Sequence, residues 1–141
     1  MAETVFWDTS AFVALGNADD ELHEAAVAVS GELARERARI LTTDAVLTEV
    51  VNMFSRSAFR SMAGQIISAF QESTQSDAAR SVQVDNLLWQ RGWQLFLERP
   101  DKDWSLTDCI SFLVMRDHKV RRAFTSDHHF EQAGYACLLR T

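Results

Sequence analysis

Thr4-Val5-Phe6-Trp7-Asp8-Thr9-Ser10 is the stretch on which the reading of this chain turns. An apolar run ends in an acid and two hydroxyls, and a second apolar run, Ala11-Phe12-Val13-Ala14-Leu15, begins at once. The pattern predicts a buried strand that delivers Asp8 at its C-terminal end, followed by a helix capped by Thr9 or Ser10. In open α/β sheets, ligands bind at the carboxyl ends of the central parallel strands. Asp8 is therefore the reference point for every other acid.

Outward from this stretch, strands and helices alternate. Gly16-Asn17 breaks the first helix, and Asp19-Asp20-Glu21 opens a longer one with its negative charge where the helix dipole favours it. Leu22, Ala25, Ala26, Val29 and Leu33 follow at helical spacing, and Arg35, Arg37 and Arg39 gather at the far end. Arg39 to Thr43 reads as a second strand. The capped helix after it carries Val46, Leu47, Val50, Val51, Met53 and Phe54 on one broad apolar face. At about 100° per residue Glu49 falls at the margin of that face, a position that suits the rim of a cleft or a solvated surface.

Phe59, Met62, Ile66 and Phe70 stripe a further helix, and Ser73 to Ala79 is polar and turn-like. Val82-Gln83-Val84 reads as a third strand before a helix rich in large residues, from Leu87 to Leu97, which Pro100 ends. Ser105 and Asp108 have capping-box spacing. The helix they open is apolar nearly all round, from Cys109 to Met115, and so should be buried. Val120 to Thr125, ending in Ser126-Asp127, and Tyr135 to Leu139 read as the last strands. This alternation predicts one domain over residues 1–141, a three-layer α/β/α sandwich around a central parallel sheet.

The formal charge of −6 argues against general electrostatic capture of nucleic acid, although a local basic groove remains compatible with it. Cys109 and Cys137 lack zinc-ligand spacing and read as small buried hydrophobes in a reducing compartment. Asp8 interrupts the only early apolar run, so no signal peptide is expected, and no run approaches the roughly 20 residues that span a bilayer. A cytoplasmic location is expected.

Four acids stand out. Asp8 and Asp127 each follow an apolar strand, so a parallel sheet places them at one edge. Asp108 sits in the first turn of a buried helix, where an unpaired carboxylate costs several kcal/mol. Capping by Ser105 would offset part of that cost. Glu49 is the fourth. Oxygen ligands without matching histidines or cysteines suit a hard cation, Mg²⁺ or Mn²⁺, which would neutralise the cluster, activate water and screen a phosphate. Thr9, Ser10, Thr107 and Ser126 flank the acids and could orient them. His128-His129 follows Asp127, and adjacent loop histidines more often face solvent or a phosphate than perform acid–base catalysis.

FWDTSAFVAL at the start, TEVVN around Glu49, SLTDCISFLVM around Asp108 and AFTSDHHFEQAGY around Asp127 together resemble the PIN-domain ribonucleases, in particular the VapC-type toxins of toxin–antitoxin pairs. The resemblance runs from Val5 to about Leu138. It implies a Rossmann-like fold and a Mg²⁺- or Mn²⁺-dependent endoribonuclease whose metal-binding acids are Asp8, Glu49, Asp108 and Asp127. It also implies an antitoxin partner and a homodimer, plausibly through the helices around residues 44–70. WSLTDCISFLVMRD looks nearest to members that cut loops of ribosomal or transfer RNA. Arg56, Arg60, Arg91, Lys102, Arg116, Lys119, Arg121 and Arg122 are candidates for RNA contact.

Two other classes compete. A phosphatase with an aspartyl nucleophile would use an acid after the first strand, but such enzymes usually place a second aspartate two residues on, where this chain has Ser10. A non-catalytic module could keep the fold as an RNA- or protein-binding surface.

Overall fold

In a computed structural model, which describes residues 2–140, five short parallel strands form the centre. They are β1 (Thr4–Trp7), β2 (Arg39–Thr43), β3 (Ala79–Val82), β4 (Arg122–Phe124) and β5 (Ala136–Cys137), in the order β3-β2-β1-β4-β5. Every pairing is parallel. A parallel sheet needs cover on both faces, which is why β1, in the middle, is apolar at Val5, Phe6 and Trp7 in succession.

The cover comes from seven helices: α1 (Thr9–Gly16), α2 (His23–Arg35), α3 (Asp44–Met53), α4 (Arg60–Gln75), α5 (Asn86–Glu98), α6 (Leu106–Asp117) and α7 (His128–Gln132). Successive side chains of β1 point to opposite faces. Trp7 meets Phe12 of α1, ring centroids 5.4 Å apart, while Phe6 meets Phe130 of α7 at 6.1 Å. Helix α1 packs on α2, α3 and α4, and α6 packs on α5 and α7, giving the two outer layers. The expected α/β/α sandwich is borne out.

Several local expectations need correction. Neither Thr9 nor Ser10 caps α1: Asp8 occupies the N-cap position without a side-chain cap bond, the Thr9 hydroxyl donates to Glu49, and the Ser10 hydroxyl bonds that of Thr125. Asp19-Asp20-Glu21 lies in a turn, with the Asp20 carboxylate accepting from the Leu22 amide, and α2 starts at His23. The third strand sits earlier than Val82-Gln83-Val84, because β2 pairs Ile40 through Thr43 with Ala79 through Val82. Strands β4 and β5 are shorter than their apolar runs.

The apolar residues of α5 are mostly at the surface. Leu88 and Gly92 are buried, whereas Leu87, Trp89, Trp93, Phe96 and Leu97 are exposed. The face expected on α3 is narrower too, since Val51 and Met53 are exposed.

Candidate active site

Four elements bring the four acids to one place. Asp8 leaves β1 with its amide donating to the Phe124 carbonyl at 3.1 Å, which fixes it level with the end of β4. Asp127 is the N-cap of α7, its Oδ1 accepting from the His129 amide at 2.9 Å. Asp108 is the third residue of α6 in a complete capping box: Ser105 Oγ accepts from the Asp108 amide, and Asp108 Oδ2 accepts from the Ser105 amide. Glu49 reaches in from the middle of α3, with Oε1 accepting from Thr9 Oγ1 at 2.9 Å. All four line a cleft of about 280 Å³ at the carboxyl edge of the sheet, together with Thr9, Ser10 and Ser126. A cavity of about 400 Å³ beside Phe12, Ile66 and Phe70 is larger but carries no ionisable group, so volume does not mark the site.

Thr125 holds the arrangement together, and sequence reading passed over it. Fully buried, it donates through Oγ1 to Asp8 Oδ2 at 2.9 Å and accepts from the Asp127 amide at 3.0 Å. Its single hydroxyl proton is thereby committed to Asp8. Ser10 Oγ, 3.1 Å from Thr125 Oγ1, must then be the donor in that contact, and it accepts in turn from the Ser126 amide at 3.0 Å. The resulting chain, Ser126 amide to Ser10 to Thr125 to Asp8, points every donor toward one carboxylate. The available signal was a hydroxyl directly after the apolar run Ala123-Phe124, two residues before an acid.

Burial dominates the electrostatics. Removal from water pushes the Asp8 carboxyl up from 3.8 to about 7. The Thr9 amide and the Thr125 hydroxyl oppose that rise, and the nearby charges of Asp108 and Asp127 add to it. Asp108 is also raised, first by burial and then by Asp127, against which the Ser105 amide and His129 pull down. The acid most in need of a positive partner is thus Asp8. Asp108, whose burial was expected to be costly, has its cap and a histidine.

That histidine is His129, whose Nδ1 lies 3.0 Å from Asp108 Oδ2 and 3.3 Å from Asp127 Oδ1. His128 is more exposed and lies against the His129 ring, centroids 4.4 Å apart. Among the described residues, Asp127, His128 and His129 form a group whose possible ligand atoms all lie within 4.8 Å of one another. The donor set is therefore carboxylate-rich with histidine at one side, not free of histidine.

The residues fit a hard divalent cation. Asp108, Asp127 and Glu49 are each anchored through one named oxygen, and among the described residues the other oxygen accepts no hydrogen bond. Asp8 is desolvated beside two further acids, a combination that a cation relieves and that protons otherwise must.

Of the basic residues expected to meet RNA, two are held in ion pairs elsewhere. Arg91 forms a forked pair with Asp117, and Arg122 holds Glu3 and Glu36. Arg60 donates to the Ser55 carbonyl. Arg56, Lys102, Arg116, Lys119 and Arg121 have no ion pair among the described residues. Arg140, which was not among those expected, bonds the backbone of Ser126, one of the residues lining the cleft. It donates to the Ser126 carbonyl at 3.1 Å and pairs with Glu131.

Against known proteins, residues 5–135 match the model of the PIN domain, and the chain belongs to that family. Within it, the chain is similar to the 23S rRNA-specific endonuclease VapC20 of Mycobacterium tuberculosis: 29% identical over 131 residues, covering 93% of this chain and 95% of that protein. The crystal structure of VapC20, described there as a Sarcin-Ricin loop cleaving toxin, superposes with a TM-score of 0.81 at 28% identity, over 94% of this chain and 96% of the other.

Proposed function

We propose that this chain is a Mg²⁺- or Mn²⁺-dependent endoribonuclease, the toxin of a type II toxin–antitoxin pair, acting on ribosomal or transfer RNA. The observation that carries the reading is the convergence of Asp8, Glu49, Asp108 and Asp127, from four separate elements, on one cleft whose innermost acid is desolvated. The similarity to an rRNA-specific endonuclease along nearly the whole chain favours ribosomal RNA as the target.

Asp8, Asp108 and Asp127 would hold the cation. When bound, such an ion supplies a nucleophilic water at neutral pH and screens the charge that develops on the phosphate. Thr125 and Ser10 fix the orientation of Asp8, and Ser105 and His129 fix that of Asp108. Glu49, less buried and held through one oxygen by Thr9, would accept a proton or orient the attacking water from the rim.

The antitoxin would be a small protein covering the cleft. A homodimer would use apolar surface such as Val51, Met53 and Phe59 in the 44–70 region, with the exposed face of α5 offering more. No helix among the described residues is long and apolar enough to cross a membrane, and we place the protein in the cytoplasm. The phosphatase alternative is disfavoured because the Ser10 hydroxyl, where a second aspartate would stand, is engaged with Thr125 and the Ser126 amide. Calorimetric titration with Mn²⁺ separates the enzyme from a non-catalytic binding module: binding at millimolar ion or tighter, lost in Asp8→Asn, supports the enzyme, and no binding favours the module.

A further inference from the structure

Two arginines that take no part in the cleft, Arg39 and Arg80, lie at the opposite, amino edge of the sheet. Arg39 is the first residue of β2 and Arg80 the second of β3. The register pairs Thr4 with Arg39 and Leu41 with Arg80, so Arg39 and Arg80 share one face of the sheet. His118, just after α6, meets them there. Its Nδ1 donates to the Val114 carbonyl at 2.9 Å, which leaves Nε2 without that constraint. The three enclose a pocket of about 250 Å³ with Thr4 and a single acid, Asp77. Neither Arg39 nor Arg80 has an ion pair among the described residues, whereas Arg122, on the other side-chain parity, is paired with Glu3 and Glu36.

We propose that this pocket binds a phosphate group of the RNA backbone, as a second grip on the substrate away from the scissile strand. Two guanidinium groups that have no acidic partner among the described residues and line one small pocket match the oxygens of a phosphate in charge and in fork geometry. The strands are four to five residues long, so the pocket lies about 15 Å from the catalytic edge. A folded RNA can span that distance, whereas a short single strand in the cleft does not reach it. The assignment of RNA as the source of the phosphate rests on the proposed ribonuclease activity.

The test is the double variant Arg39→Gln, Arg80→Gln, checked for an unchanged melting temperature. Binding of a folded RNA of some tens of nucleotides is followed by fluorescence anisotropy across a salt series, in an Asp8→Asn background that prevents cleavage. Cleavage is measured in the otherwise wild-type chain. The slope of log affinity against log salt should become shallower by about 1–2. KM for the folded RNA should rise several-fold with kcat unchanged, and a short single-stranded substrate should show neither change. An unaltered slope and KM overturn the RNA assignment. So does an unaltered slope accompanied by loss of poly-aspartate binding, which would give the face to an acidic protein. Independently of any cleavage, inorganic phosphate should shift the His118 ring resonances in the wild type and not in the double variant. A shift equal in both, or absent from the wild type, overturns the pocket itself. If the wild type cleaves no RNA under any divalent ion, the ribonuclease reading fails while this phosphate titration still decides the pocket.

Discussion

The two edges of one sheet carry opposite charge and are built by opposite means. At the carboxyl edge Asp8 and Thr125 are buried, and hydroxyls, amides and a capping box aim at the carboxylates. At the amino edge Arg39 and Arg80 stand at the surface with no acid paired to them among the described residues. Desolvation makes the first edge costly to the fold and sensitive to small changes in geometry. Solvent screening makes the second tolerant, so its residues can be exchanged with little consequence for folding. Substitutions should therefore act on stability and activity together at the carboxyl edge, and on substrate binding alone at the amino edge.

The largest effect short of removing a ligand should come from Thr125→Val. It keeps the shape but deletes the donor to Asp8 and the acceptor for the Asp127 amide. Activity should fall about 10–100-fold, as for loss of a residue that orients a metal ligand. The unfolding free energy should drop by about 1–3 kcal/mol in urea melts. Equal activity in the variant would mean that Asp8 is oriented by other contacts.

Asp8 itself should show the opposite sign in stability. Its carboxyl stays protonated in the fold to about pH 7 but ionises near 3.8 when unfolded. Between those values the native state holds the extra proton, so the metal-free protein loses stability as pH rises from about 4 to about 7 and levels off above. Asp8→Asn should flatten that slope to the part contributed by the raised Asp108 carboxyl and, near pH 8 without metal, stabilise the chain by about 1–3 kcal/mol. Thermal melts across pH measure both.

A smaller effect belongs to the cap. Ser105→Ala leaves the Asp108 amide without its acceptor and should cost about 1 kcal/mol. Arg39→Gln, at the other edge, should leave the melting temperature within error of wild type. A large loss there would show that the amino edge is structural and would erase the contrast between the edges.

The sequence was most legible where chemistry and position coincide. An acid after an apolar run marks Asp8 and Asp127, and the spacing of Ser105 and Asp108 marks the cap. Legibility failed where a tertiary partner overrode a local preference. Val82-Gln83-Val84 is the more strand-like triplet, yet pairing with β2 selects Ala79 to Val82. Thr9 and Ser10 are good caps in isolation, but Glu49 and Thr125 compete for them across the fold. Thr125 was invisible because its role exists only once β4 lies beside β1. The apolar face of α5 reads as core by composition, and only packing shows it is outside. The arginines at 35, 37 and 39 were visible as a cluster, but not their meeting with Arg80 and His118, which depends on sheet order.

The central claim is that the acids of the carboxyl edge form a divalent-metal ribonuclease centre organised on Asp8. The most direct measurement is cleavage of a ribosomal RNA fragment by wild type and Asp8→Asn, each with Mn²⁺ or Mg²⁺ and with chelator. The account predicts cleavage by the wild type only with metal, and a rate at least about 1,000-fold lower for a folded Asp8→Asn protein. Cleavage that survives chelation, or an Asp8→Asn protein that cuts at the wild-type rate, would contradict it.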